Sequence, residues 1–255
     1  MEWYLYPAIV LVGIVAGFIN TLAGSGSLLT LPFLMFLGLP ANVANGTNRI
    51  AILLQNIVGV SSFQQQKVLK MKYGIRLGIP AVIGALAGAA IAVQVNNNVM
   101  SYIIGFLLVF MFFLIVFKPD QWVKSQSENV QEKPSWLQMI IFFFIGIYGG
   151  FIQAGVGFFL LAGLVLGAGL DLVRANAIKV LIVLLYTPFA LGIFMYHHQV
   201  DYKLGLVLAI GNMIGAFVGS RVAVSWGPKF VRIILLLAIL GSSFKLLGVF
   251  DLFIS

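Results

Sequence analysis

Two cations stand inside otherwise apolar sequence: Arg49, closing the run ANVANGTNR, and Lys179, closing RANAIK. Each begins a long stretch with no acidic residue nearby, apart from Asp171 ahead of Lys179. A charge placed well inside a bilayer costs at least about 2.5–3.5 kcal/mol and calls for a partner or a wet cavity. An arginine fork and a lysine ammonium converging on one point suit an oxyanion, the arginine as the better match for paired oxygens. Snorkelling of both side chains to the membrane surface is the plainer alternative.

Two glycine breaks accompany them, Gly24-Ser25-Gly26-Ser27 and Gly155-Val156-Gly157. A helix restarting after such a break presents unpaired N–H groups and about half a positive charge, which favours an anion. No Lys-Ser or Lys-Thr follows the glycines, so neither is a nucleotide-binding P-loop. Neutral amides surround both breaks in the sequence: Asn20, Asn45, Asn48 and Gln55 in the first half, Gln153 and Asn176 in the second. They serve either as hydrogen-bond partners of a ligand or as ordinary interhelical bonds. The pairs Gly13/Gly17, Gly84/Gly88, Gly146/Gly150 and Gly215/Gly219 have the spacing that lets helix backbones approach closely, and packing suffices to explain them.

Other chemistries find no residues to carry them. The chain has no cysteine, which removes disulfides, thiolate metal sites and thiol catalysis. Its acids, Glu2, Asp120, Glu128, Glu132, Asp171, Asp201 and Asp251, fall in loops or at helix ends. No proton relay or cation-substrate site of the usual carboxylate kind is therefore expected. His197 and His198 sit where a helix ends and read as capping residues. There is no HExxH or GxSxG and no nucleophile–base pair, so we expect no catalytic residue, no metal and no cofactor.

The elements that must position these residues are membrane helices. Of 255 residues 61% are hydrophobic and 9% charged, and the mean hydropathy is +1.08. Soluble domains carry about 25% charged residues. A chain this poor in charge needs a lipid bilayer as its partner. The excess of 15 Lys+Arg over 7 Asp+Glu suits cytoplasmic loops near anionic lipid, and no basic patch interleaved with aromatics suggests nucleic acid. The opening MEWYLYPAIV lacks a basic n-region and a cleavage site, and reads as an interfacial helix start with Trp3, Tyr4 and Tyr6 in the aromatic belt.

Eight apolar segments are expected. A block from about Leu5 to Leu37 is broken by its glycines and Pro32 into two half-helices, and spans follow at Ala44–Phe63, Gly74–Val93 and Val99–Phe117. After a hydrophilic linker, 118–135, the second half repeats the plan: a broken block at Trp136–Leu170, then spans at Ala175–Tyr196, Gly205–Val224 and Val231–Leu247. The repeat holds one register. An offset of 131 residues carries Ile83–Gly88 onto Ile214–Gly219, Ala44-Asn45 onto Ala175-Asn176, and Asn48 onto Lys179; Gly17–Asn20 precedes Gly150–Gln153 by 133.

Charge chooses between parallel and inverted halves. If the broken blocks cross fully, nine of the basic residues lie inside. If they are re-entrant hairpins, only Arg49, Lys203 and Lys245 lie outside, leaving twelve of 15 inside. Positive residues favour the cytoplasmic side, so the hairpin topology is expected. The fold expected is all-α: a polytopic membrane protein of two inverted repeats, 1–117 and 136–255, each a glycine-broken re-entrant hairpin plus three transmembrane helices.

The stretch GFINTLAGSGSLLTLPFLMFLGLPANVANGTNR resembles the N-terminal signature of the TauE/SafE family of bacterial membrane proteins, and GGFIQAGVGFFLLAGLVLGAGLDLVRANAIK resembles its second-half signature. The resemblance spans essentially the whole chain. It implies export of a small sulfur oxyanion, sulfite or a sulfonate such as sulfoacetate, across the bacterial inner membrane, with Arg49 and Lys179 inside the matching motifs. Val156 and Phe158 stand where the first motif has Ala23 and Ser25, so the two half-sites are not equivalent.

The function expected is a permease that moves the anion by alternating access at a mid-membrane site. An anion channel, a permease for another small organic anion, and a subunit delivering substrate to an enzyme are the rivals. No residue pattern specifies an oligomeric state.

Overall fold

A computed structural model describes residues 5–117 and 134–246; Trp3, Tyr4 and most of the linker lie outside them. All regular structure in these residues is helical. The order is α1 Leu5–Ala23, α2 Ser27–Phe36, α3 Ala41–Gln65, α4 Met71–Ala92, α5 Asn97–Phe117, α6 Trp136–Phe151, α7 Val156–Ala168, α8 Leu172–Tyr196 and α9 Tyr202–Leu246.

The broken blocks break where the glycines stand. Gly24 and Gly155 both adopt the left-handed conformation, at φ 75° and 72°, where a side chain would be strained. The two blocks are not, however, equal pairs of half-helices. At 19 residues α1 is long enough to cross a membrane alone, whereas α2, α6 and α7 have 10, 16 and 13 residues. Four helices in the described residues have the length and apolarity to span: α1, α4, α8 and Tyr202–Trp226 of α9.

The last segment differs from expectation. Two spans, Gly205–Val224 and Val231–Leu247, were expected with a turn between them; the chain is one helix from Tyr202 to Leu246. At the equivalent point in the first half, Asn96 Oδ1 accepts from the Asn98 N–H, at 2.9 Å. Such local side-chain bonds compete with helix continuation. The second half has no asparagine there, and the lone Gly227-Pro228 pair does not end the helix.

Packing interlocks the two halves. Helix α1 of the first half lies against α9 of the second, and α6 of the second lies against α4 of the first. Both crossings are made by glycine pairs. A Cβ on Gly84 or Gly88 would overlap the carbonyls of Phe143 or Ile147 on α6, and one on Gly17 would overlap Asn212 of α9. This is close backbone packing of the small-residue kind. Helix α3 packs on α9 and α4 on α8, with α3 and α8 against each other at the centre. Under the 131-residue register α1 on α9 maps onto α6 on α4, α3 on α9 maps onto α8 on α4, and the α3–α8 contact maps onto itself. The outer surface carries Leu11, Ile79, Ile83, Phe106, Phe144 and Ile210, all exposed, an apolar coat suited to lipid rather than water.

Candidate functional site

The two breaks meet. A Cβ on Gly24 would collide with the Gly157 backbone, and one on Gly157 with the backbone of Gly24. Here two helix starts, α2 with Gly26 at its N-cap and α7 with Gly155, are brought together in the buried centre. Neither start has a side-chain cap. The geometry also moves the register slip. Gly24 pairs with Gly155 and Gly26 with Gly157 at an offset of 131, so the two extra residues lie between Asn20 and Gly24. Ser25 is then equivalent to Val156 rather than Phe158. Its hydroxyl is buried without a hydrogen-bond partner.

The cations do not snorkel. Arg49 is fully buried and Lys179 is 2% exposed. Their hydrogen bonds go to helix ends rather than to each other. Lys179 Nζ donates to the carbonyls of Asn20 (2.8 Å) and Thr21 (2.9 Å) and to Asn176 Oδ1 (2.6 Å). Asn176 Nδ2 donates to the Leu22 carbonyl at 2.9 Å. In the first half Arg49 donates to the carbonyls of Gly149 (3.1 Å) and Gly150 (2.6 Å). Asn45 Nδ2 completes the row at Phe151, 2.8 Å. Each half therefore supplies a cation and an asparagine that satisfy three consecutive carbonyls at the end of the other half's first helix.

The physical reason is general. The last carbonyls of a helix lack partners and carry partial negative charge. At a surface water would serve them, but inside a membrane only protein donors can. Arg49 also lies over the Phe194 ring, 4.6 Å from its centre, a cation–π contact that partly offsets its desolvation. Its Nε remains buried without a partner.

The amides of the two halves make different hydrogen bonds. Asn20 Nδ2 donates to Gln55 Oε1 at 3.3 Å, and so does Asn212 Nδ2 of α9 at 3.1 Å. In the second half Gln153 Nε2 donates to the Tyr186 hydroxyl at 3.0 Å. Gln153 is the equivalent of Asn20, and Tyr186 stands 131 residues after Gln55. Asn48, the equivalent of Lys179, serves α2 instead: it donates to Ser27 Oγ at 3.0 Å and accepts from Thr30 Oγ1 at 2.7 Å.

Thus Asn20, Gln55, Asn176 and Lys179 form one cluster on the end of α1, and Asn45 and Arg49 another on the end of α6. Gln153 joins Tyr186, while Asn48 and Ser27 pin the start of α2. Tyr186, Asn212 and Thr30 were missed by sequence reasoning; the repeat register, which sets Tyr186 against Gln55, was the signal that could have found the first. An open groove of about 520 Å³ between α4 and α8, lined by Gln94, Pro188, Phe189 and Tyr196, contains none of the expected site residues. Asp171 lies outside the site as the N-cap of α8, accepting from the N–H groups of Val173 and Arg174 at 3.0 Å.

Two buried cations lie in this interior, and the acids among the described residues, Asp171 and Asp201, are not buried. No cluster of metal-ligating side chains occurs among the described residues.

Comparison with known proteins finds membrane transporters among the relatives of this chain. Residues 9–246 match the family described as Sulfite exporter TauE/SafE. A probable membrane transporter protein, ORF9, of a Sinorhizobium species is 27% identical over 97% of this chain and 94% of its own. The probable membrane transporter protein YfcA of Escherichia coli K12 is 29% identical, covering 92% of this chain and 87% of the relative. The probable membrane transporter protein YdhB of Bacillus subtilis is 24% identical over 83% of this chain and 86% of its own. No solved structure matches. With the family match running from α1 to the end of α9, the chain belongs to the TauE/SafE sulfite exporter family.

Proposed function

We propose that this membrane transporter is a permease that exports a small sulfur-containing oxyanion by alternating access at a mid-membrane site. The class intended is sulfite or an organosulfonate such as sulfoacetate. The protein would be multi-pass in the bacterial inner membrane, its halves forming inverted repeats. The reciprocal contacts of α1 with α9 and α6 with α4 support that reading.

The observation that carries the proposal is the electrostatic imbalance of the centre. Arg49 and Lys179 are buried with dipoles and one aromatic ring for company, and with no buried carboxylate among the described residues. Helix-end carbonyls compensate only about half a charge each. The starts of α2 and α7 add positive potential at the same place. Such a centre attracts an anion and repels a cation. The substrate-binding set is Asn20, Gly24, Ser25, Gly26, Ser27, Asn45, Asn48, Arg49 and Gln55 from the first half. Gln153, Gly155, Gly157, Asn176 and Lys179 come from the second. The closed contact of Gly24 on Gly157 favours an occluded site over a channel, which needs a continuous polar pore.

Flux of sulfite and sulfoacetate through purified protein in proteoliposomes, with acetate as the carboxylate control, tests the proposal. Saturable movement of a sulfur oxyanion supports it. Absence of such movement, or equal movement of acetate, removes it.

A further inference from the structure

The two half-sites share positions but not chemistry, and the difference gathers around Gly149. The Tyr186 hydroxyl lies 2.9 Å from where a Cβ on Gly149 would sit, and a side-chain methyl of Val156, the first residue of α7, lies 3.0 Å from it. Arg49 holds the Gly149 carbonyl with one amino group while its Nε has no partner among the described residues. Tyr186 is fully buried, and its hydroxyl meets only the side-chain amide of Gln153. It accepts from Nε2 at 3.0 Å and donates to Oε1 at 3.3 Å. Both bonds come from one amide, so the hydroxyl cannot align well with both. Two donors therefore lie close to Gly149: the Arg49 Nε–H, which has no partner, and the Tyr186 O–H, which is held only by the Gln153 amide, with the first turn of α7 beside them.

At the equivalent place in the first half the tyrosine is replaced by Gln55, whose Oε1 already accepts from Asn20 and Asn212. Asn212 Oδ1 is left buried without a partner. That side offers amide groups of both donor and acceptor character, in a row with no phenol.

Resting on the permease reading, we propose that Tyr186 is an anion-binding residue. With Arg49 and the start of α7 it takes the substrate's sulfur oxygens, while Gln55 and Asn212 take the polar group at the substrate's other end. The substrate class implied is an organosulfonate with a second hydrogen-bonding substituent, bound in one orientation. Inorganic sulfite occupies the Tyr186 end alone. The phenol donates without bringing charge, and a hydrogen bond to a charged group is worth more than one between neutral groups.

The test measures KM and maximal rate for sulfite and for sulfoacetate in proteoliposomes. Three variants are compared with the unaltered protein: Tyr186→Phe, Gly149→Ala and Gln55→Leu. Tyr186→Phe removes one hydroxyl and keeps the ring, so its KM for both anions should rise roughly 10- to 100-fold. Gly149→Ala crowds the Tyr186 hydroxyl without replacing any polar side chain and should raise both KM values too, so the result does not depend on one variant folding. Gln55→Leu should raise KM for sulfoacetate at least about tenfold more than for sulfite. Unaltered KM values in both Tyr186→Phe and Gly149→Ala, in protein that still transports, overturn this assignment and leave the permease reading standing. Equal effects of Gln55→Leu on the two anions overturn the orientation. Unaltered protein that moves neither anion overturns both readings.

Discussion

Gly24 and Gly157 touch backbone to backbone, with no room for a side chain on either. The contact joins the break of one half to the break of the other, so any motion that opens the centre must separate these two residues. It also accounts for three of the four glycines at the breaks; the fourth, Gly26, packs against the Ala16 carbonyl of α1 instead. Gly24 and Gly155 turn the chain at positive φ, while Gly157 lets the facing loop come close.

Gly157→Ala tests that contact most cleanly, because its backbone is not at positive φ. The added methyl overlaps the Gly24 backbone, and overpacking of this kind costs about 1–3 kcal/mol. A lower melting temperature in detergent together with strongly reduced transport is expected. Unchanged stability would show that the loops do not close on each other.

Lys179→Met removes the donor that holds the Asn20 and Thr21 carbonyls. The buried Thr21 carbonyl loses its partner, at about 1–3 kcal/mol, while the Asn20 carbonyl keeps the Gly24 N–H, and the loss is offset in part because a buried charge is also removed. Net destabilisation is expected, with Lys179→Arg closer to the unaltered protein. Thermal melting of the three proteins decides it. Stability equal to or above the unaltered protein in Lys179→Met would mean the lysine is not needed to cap α1.

Arg49→Lys keeps the charge but loses the fork that reaches Gly149 and Gly150 together. Partial transport is expected, with Arg49→Ala abolishing substrate binding. If Arg49→Lys matches the unaltered protein in both KM and rate, the fork has no role beyond its charge.

Efflux needs no ion partner on this account. An anion leaving a cell gains about 2.3 kcal/mol per charge for every 100 mV of inside-negative potential. Flux from proteoliposomes clamped with a potassium gradient and ionophore should rise with inside-negative potential and persist without proton or sodium gradients. Collapse of flux when those gradients are removed would contradict the scheme.

What the sequence revealed of this fold follows from how local each signal is. The breaks at Gly24 and Gly155 were legible because glycine and chain length act over a few residues. The packing glycines were legible because their spacing has one common use. The join across α9 was not, since the cue that ends the equivalent helix, an asparagine turn, is simply missing from the second half. Arg49 and Lys179 stood out as cations in apolar sequence, but the choice between burial and snorkelling, and their immediate partners, could not be read. Those partners are the carbonyls of Gly149, Gly150, Asn20 and Thr21, about 100 to 159 residues away in sequence. Tyr186 was overlooked because a tyrosine in an apolar run suggests packing, although the repeat sets it against Gln55.

The central claim is that the meeting point of the two broken helices binds a sulfur oxyanion. Thermal-shift measurement of purified protein with sulfite, sulfoacetate, thiosulfate and acetate tests it most directly. Sulfur oxyanions should raise the melting temperature in a concentration-dependent way, acetate should not, and the shift should vanish in Arg49→Ala. No shift with any sulfur oxyanion, or a shift that survives in Arg49→Ala, would contradict the account.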